Sequence, residues 1–177
     1  MQKRLVIVVF SLLYASLALA RSYQVDVLLF AQPGEYSTLE KAKAPFPFLP
    51  IKRNAIRLGR NSNELYAILK PSQSHLLDEY YVLAHKSSYP VLGHYSWKQS
   101  STKTIRVRLP YLNNKGWIIK GTVQVVAGNY YRFNSELQCS APDNPQAVFT
   151  VSHRQGLEPG KIYYFDHAQL GMLVTIH

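Results

Sequence analysis

One cysteine, Cys139, stands among 177 residues, so no disulfide can form within the chain and its stability has to come from packing. Without a partner constellation in the sequence, Cys139 reads as a small hydrophobe rather than a nucleophile. Acids are scarce as well, ten Asp and Glu against twenty Lys and Arg, giving a net charge of +10. That scarcity argues against a carboxylate pair for sugar hydrolysis, because Asp78 and Glu79 are neighbours suited to the first turn of a helix. The chain contains no G-x-S-x-G elbow, no H-E-x-x-H pair and no phosphate-cradling glycine loop. Ser100-x-x-Lys103 matches the S-x-x-K of penicillin-recognising enzymes, but Ile105 follows Lys103-Thr104 and the accompanying K-T-G is missing. His75, His85, His94, His153, His167 and His177 are never closer than nine residues, which argues against the short ligand spacings of a zinc site. Asp166-His167, the one acid–histidine neighbour pair, reads as a turn with a hydrogen-bonded aspartate. Together these absences point to a non-enzymatic protein with no catalytic residue, metal or cofactor.

Long apolar runs are also few. The first one follows Lys3 and Arg4, covers Leu5 to Leu13 and ends near Ala18-Leu19-Ala20, the small-residue pattern read by a signal peptidase. A signal peptide over 1–20, cleaved between Ala20 and Arg21, is expected to deliver the chain to the periplasm. The run falls short of the ~20 residues that span a bilayer. No second run of that length exists and no cysteine follows Ala20, so neither a membrane span nor a lipid-modified N-terminus is expected after cleavage. The remaining 157 residues suit one domain, 21–177, and loss of Lys3 and Arg4 leaves it at +8.

What is present is β-rich. Ser22 to Phe30 alternates as a strand with one apolar face. Residues 31–62 hold Pro33, Pro45, Pro47 and Pro50 and read as a long proline-containing connection, pinned by Phe46, Phe48 and Leu49. A principal helix is predicted over Ser74 to Lys86, capped by Ser74, with acids early, bases late and Leu76, Leu77, Tyr80, Leu83 and Ala84 on one face. A shorter helix is predicted over Asn63 to Leu69. Strands follow at Tyr89–Trp97, Thr104–Leu109, Trp117–Ala127, Tyr130–Gln138, Ala147–His153, Lys161–Phe165 and Leu170–Ile176, with a Gly128-Asn129 turn. The fold class is therefore α+β: a mainly antiparallel sheet with one principal helix in a single domain.

Between Tyr80 and Ser135 lie eight basic residues and no acid. A field of one sign concentrates anionic partners. In the cytosol that would mean nucleic acid, but outside it the anions are cell-wall carboxylates, lipid phosphates and acidic proteins, so no nucleic acid is expected. Arg106 and Arg108 emerge on one face of their strand, ~7 Å apart along it, and Lys120 lies beside them if the next long strand pairs. Guanidinium groups bind carboxylates and phosphates in a two-pronged fashion. Trp117, Tyr130 and Tyr131 sit near strand ends, where rings can stack on sugar faces, although core and hairpin roles are open to the same residues. These six residues are the candidate ligand-binding set.

The closing YYFDHAQLGMLVTI, which ends at Ile176, the Y-P-V-L-G-H-Y-S-W-K-Q of Tyr89 to Gln99, Ile119 to Val123, Asn129 to Leu137, and Tyr23 to Phe30 form a set of distinctive segments. Together they resemble the CsiV family of periplasmic peptidoglycan-binding proteins. The resemblance implies wall binding without catalysis, support of peptidoglycan synthesis or cell shape, and a partner such as an outer-membrane lipoprotein activator of a penicillin-binding protein. The alternative is a periplasmic adaptor that binds an acidic partner protein without touching the wall.

Overall fold

A computed structural model describes residues 22–32, 47–51, 54–59 and 65–177. The expected leader and much of the 31–62 connection, Phe46 included, lie outside them. Ten strands are described: β1 (Ser22–Ala31), β2 (Ile56–Arg57), β3 (Val91–Ser100), β4 (Arg106–Arg108), β5 (Leu112–Asn114), β6 (Trp117–Val126), β7 (Tyr131–Ser140), β8 (Val148–Leu157), β9 (Tyr163–Phe165) and β10 (Leu170–Ile176). A 3₁₀ turn, Pro71–Gln73, and one helix, α1 (Leu77–Lys86), fall between β2 and β3. The α+β class is as expected, and every strand pair is antiparallel except β2 with β4.

The strands form two sheets, β3-β1-β10-β9 and β2-β4-β6-β7-β8, with β5 added to β6. One core fills the space between them. Val25, Val27 and Leu29 of β1, Trp97 of β3 and Val174 and Ile176 of β10 face Val123 and Val125 of β6 and Phe133 and Leu137 of β7. The Tyr23 hydroxyl donates to the Val125 carbonyl at 3.0 Å, and the Phe133 and Phe165 rings stack 5.1 Å apart. The rising pattern of β-branched and aromatic residues thus selects strands that bury one face per sheet.

β1 departs from its expected one-sided pattern. It is the second strand of the smaller sheet, and from Tyr23 to Ala31 every residue is buried. Gln24, Asp26, Leu28 and Phe30 are turned away from the inter-sheet core, toward a cover made by the 3₁₀ turn, the start of α1 and the aromatic residues Tyr89 and Tyr164.

α1 begins three residues later than its predicted start. Ser74 does not cap it: the Ser74 hydroxyl accepts the Leu76 N–H at 3.1 Å and contacts His94 Nε2 at 2.7 Å, so it stabilises the approach to the helix instead. Of the predicted apolar face only Leu76, just outside the helix, is buried, and Leu77 is 40 % exposed. The acids at Asp78 and Glu79 and the bases at His85 and Lys86 do occupy the first and last turns.

The helix predicted over 63–69 is absent from its described part, 65–69. Tyr66 has φ +66°, Ala67 bridges Gly59 and Ile68 bridges Trp97. The free edge of β3 decides this: Tyr66 N–H donates to Lys98 O at 2.7 Å and Leu69 N–H to Ser96 O at 2.8 Å. Tertiary backbone pairing here outweighs local helix propensity. β5 was not anticipated either. It is closed onto β6 by the two-residue loop Lys115-Gly116, with φ +53° and +80°, the left-handed pair that a tight hairpin needs.

Candidate anion-binding face

The outer face of the larger sheet collects the basic residues because strand alternation sends their neighbours inward. Val107 is fully buried while Arg106 and Arg108 point the other way, and on β6 the buried Ile119 and Val123 alternate with Lys120, Thr122 and Gln124. β4 pairs with β6 so that Arg106 faces Gln124 and Arg108 faces Thr122, which puts Lys120 one step further along the same face. The arrangement expected of Arg106, Arg108 and Lys120 is the one observed.

The structure adds a residue that the sequence reading missed. β2 runs parallel to β4 in a register that sets Arg57 opposite Arg108. Arg57 lies in the stretch read as irregular, and a two-residue strand leaves no periodicity to detect. Arg57, Arg108, Lys120, Ile51, Leu109 and Tyr111 line a cleft of about 190 Å³. The Lys120 ammonium lies 4.5 Å from the Phe48 ring centroid and 5.4 Å from that of Tyr111, a cation–π seat between two rings. The segment carrying Phe48 is tied down next door: Leu49 N–H donates to Gln138 Oε1 at 2.5 Å, and Gln138 Nε2 donates back to Leu49 O at 3.2 Å.

The four cations differ in their partners. Arg106 donates to Thr122 Oγ1 at 3.3 Å and lies 3.6 Å from the Glu136 carboxylate. Among the described residues Arg57, Arg108 and Lys120 have no carboxylate within ion-pair distance. Arg108 Nε is in addition buried without a hydrogen-bond partner.

The aromatic candidates divide. Trp117 is 3 % exposed and belongs to the core, with its ring edge-on to Phe149 at 6.3 Å. Tyr131 is half-buried against the core and its ring lies 4.8 Å from that of Tyr23. Only Tyr130 stands in solvent, 62 % exposed. It sits in the turn between β6 and β7, at the far end of β6 from the Lys120 cleft, so the structure does not gather the three rings around the arginines.

Beneath the 3₁₀ turn lies a second polar cluster. Asp26 is fully buried and accepts from the Ser96 hydroxyl and from Gln24 Nε2 at 3.0 and 3.2 Å, with His75 Nδ1 at 3.1 Å. The His75 ring stacks on that of His177 at 3.7 Å, which brings together two histidines 102 positions apart. His94 faces the same strand and stacks on Tyr80 at 5.2 Å. Burial lowers its pKa, and the Asp26 charge offsets only part of that. Among the described residues no three His, Cys, Asp or Glu side chains converge as metal ligands do. At the D-H turn Asp166 accepts from Tyr164 OH at 2.6 Å and Gln32 Nε2 at 2.8 Å, while His167 stacks on Phe149, so the two side chains have separate structural tasks.

Over residues 3–177 the sequence matches the family described as peptidoglycan-binding protein, CsiV. The chain belongs to the CsiV family. No curated protein and no solved structure matches it. For this CsiV-family protein, the closing D-H turn and the Trp97 strand are now seen to be architectural, since Trp97 is fully buried and its indole N–H donates to Gln99 at 2.9 Å. No helix of the described residues is long and apolar enough to cross a membrane.

Proposed function

We propose that this protein is exported to the periplasm, binds peptidoglycan without catalysing its turnover, and supports cell-wall synthesis or cell shape. The family match supports wall binding. The observation that carries the choice of surface is the set of three cations, Arg57, Arg108 and Lys120, that share one cleft and have no carboxylate partner among the described residues. Arg108 and Lys120 are half-buried and Arg57 is exposed beside them; clustered cations without counter-ions attract anions, and wall peptides carry carboxylates. Arg106 borders this surface with its charge already shared with Glu136.

Co-sedimentation of the mature protein with intact sacculi across a salt series tests the reading. Retention that weakens as salt rises, and that falls when Arg106→Glu and Arg108→Glu are combined, is the expected result. Absence of retention at moderate salt counts against it. N-terminal sequencing of protein recovered from the periplasm reads the expected Ala20–Arg21 cleavage directly.

The same cations suit a second reading, an adaptor that docks on an acidic protein, with an outer-membrane lipoprotein activator of a penicillin-binding protein as one such partner. Crosslinking in cells that traps one dominant protein, together with no sacculus binding, favours the adaptor.

A further inference from the structure

The wall offers sugars, amides and carboxylates, and the cleft between β2, β4 and β6 is built for one of these. We propose that it is a subsite for the free carboxylate of a small, apolar amino-acid residue at the end of a peptide, clamped by Arg57 and Arg108 with Lys120 as the third charge. The inference rests on the reading of the protein as a wall binder and names the group that its basic face selects.

Register, volume and lining each bear on it. Arg57 and Arg108 lie opposite each other across the parallel β2–β4 pair, where neighbouring strands are ~4.8 Å apart. Two like charges so placed repel, and a carboxylate between them converts repulsion into paired attraction. A guanidinium fork matches the two oxygens of a carboxylate, and Arg108 Nε is a buried donor still lacking an acceptor. Lys120 is kept near the cleft by Phe48 and Tyr111.

The cleft's volume of about 190 Å³ gives space for one small residue and its carboxylate. Ile51, Leu109 and the Tyr111 ring supply apolar wall beside the three cations. That mixture suits a methyl-bearing residue better than a bare inorganic anion, which gains nothing from the apolar side.

Titration of the ¹⁵N-labelled protein with acetyl-Ala-Ala, its carboxyl amide and inorganic phosphate, followed by amide shifts, tests the subsite. The acid is expected to saturate shifts around Arg57, Arg108 and Lys120, with the amide and phosphate each at least ~10-fold weaker. Arg57→Gln and Arg108→Gln should each weaken the acid at least ~5-fold, whereas Arg132→Gln, exposed at the far end of the β6–β7 pair opposite Val126, stays within ~2-fold. Arg57 is exposed, so its replacement leaves the fold intact even if that of Arg108 does not.

An amide that binds as well as the acid, phosphate that binds as tightly, or equal losses from Arg132→Gln and Arg108→Gln each overturn the proposal. Sacculus co-sedimentation of the same variants separates the two levels. Sacculi retained with no response to the acid sink the subsite and spare the wall reading, and the acid bound with no sacculus retention does the reverse.

Discussion

Gly121 of β6 faces Leu137 of β7 so closely that a Cβ at Gly121 would sit 2.8 Å from Leu137 Cα and 2.5 Å from Leu137 Cδ2. The neighbour that must yield is backbone in a continuous ladder, not the end of a flexible chain. Gly121→Ala is therefore expected to cost about 1–3 kcal/mol through overpacking, and Gly121→Leu to leave no soluble folded protein. Thermal or urea unfolding measures the first, and recovery of stable Gly121→Leu protein would show that the ladder is more pliant than drawn.

Trp117 and Tyr130 stand together in the candidate set, with stacking and core roles open to both, and the structure separates them. Trp117→Ala empties a core position and should lower stability by about 3–5 kcal/mol. Tyr130→Ala removes an exposed ring and should stay within ~0.5 kcal/mol of the parent. Unfolding curves for the two variants side by side decide it, with equal losses as the contrary outcome.

Cys139 is fully buried, and burial pushes its thiol pKa up to about 12. Thiolate is the reactive form, so the native protein at pH 8 should resist alkylation by iodoacetamide while the urea-unfolded chain reacts at the rate of an ordinary thiol. Rapid labelling of the folded protein would mean that β7 opens far more often than its pairing with β6 and β8 on both sides implies.

Acid should destabilise the fold. Burial lowers the pKa of His94, and also of His153 and His177, where a neighbouring histidine lowers it further. Each group takes up its proton in the unfolded chain near the ordinary imidazole value, ~6.5, before it does so in the folded one. The unfolded state therefore binds more protons once pH drops below that value, and stability, full above it, is lost as pH falls through the lowered folded values. Melting temperatures measured from pH 8 to pH 5 should decline over the lower part of that range, and His94→Gln should flatten the decline. A midpoint that rises on acidification contradicts the assignment.

Much of this molecule could be read from its residues. The alternation in Thr104–Leu109 determined that Arg106 and Arg108 share a face, and eight of the described strands lie where periodicity located them. A single cysteine with no chemistry around it fixed its role as packing. The scarcity of acids left the basic residues with few partners wherever they came to lie. These properties depend on neighbours along one strand or on composition, and both survive any arrangement of the elements.

Tertiary structure decided what depends on distant pairing. Only the parallel β2–β4 contact sets Arg57 against Arg108, and two residues are too few to carry a signal of their own. The stretch 65–69 is extended because the β3 edge offers carbonyl acceptors, a demand that no local propensity registers. Asp26 looks like a solvent-facing strand residue until the 3₁₀ turn covers it and brings His75 to 3.1 Å. Trp117 and Tyr130 have the same aromatic character in sequence and opposite fates, because Trp117 is buried on β6 with its ring against Phe149 while Tyr130 stands in the turn beyond the end of that strand. Burial belongs to the assembled layers, and for that reason the candidate set became a cleft of cations rather than a row of rings.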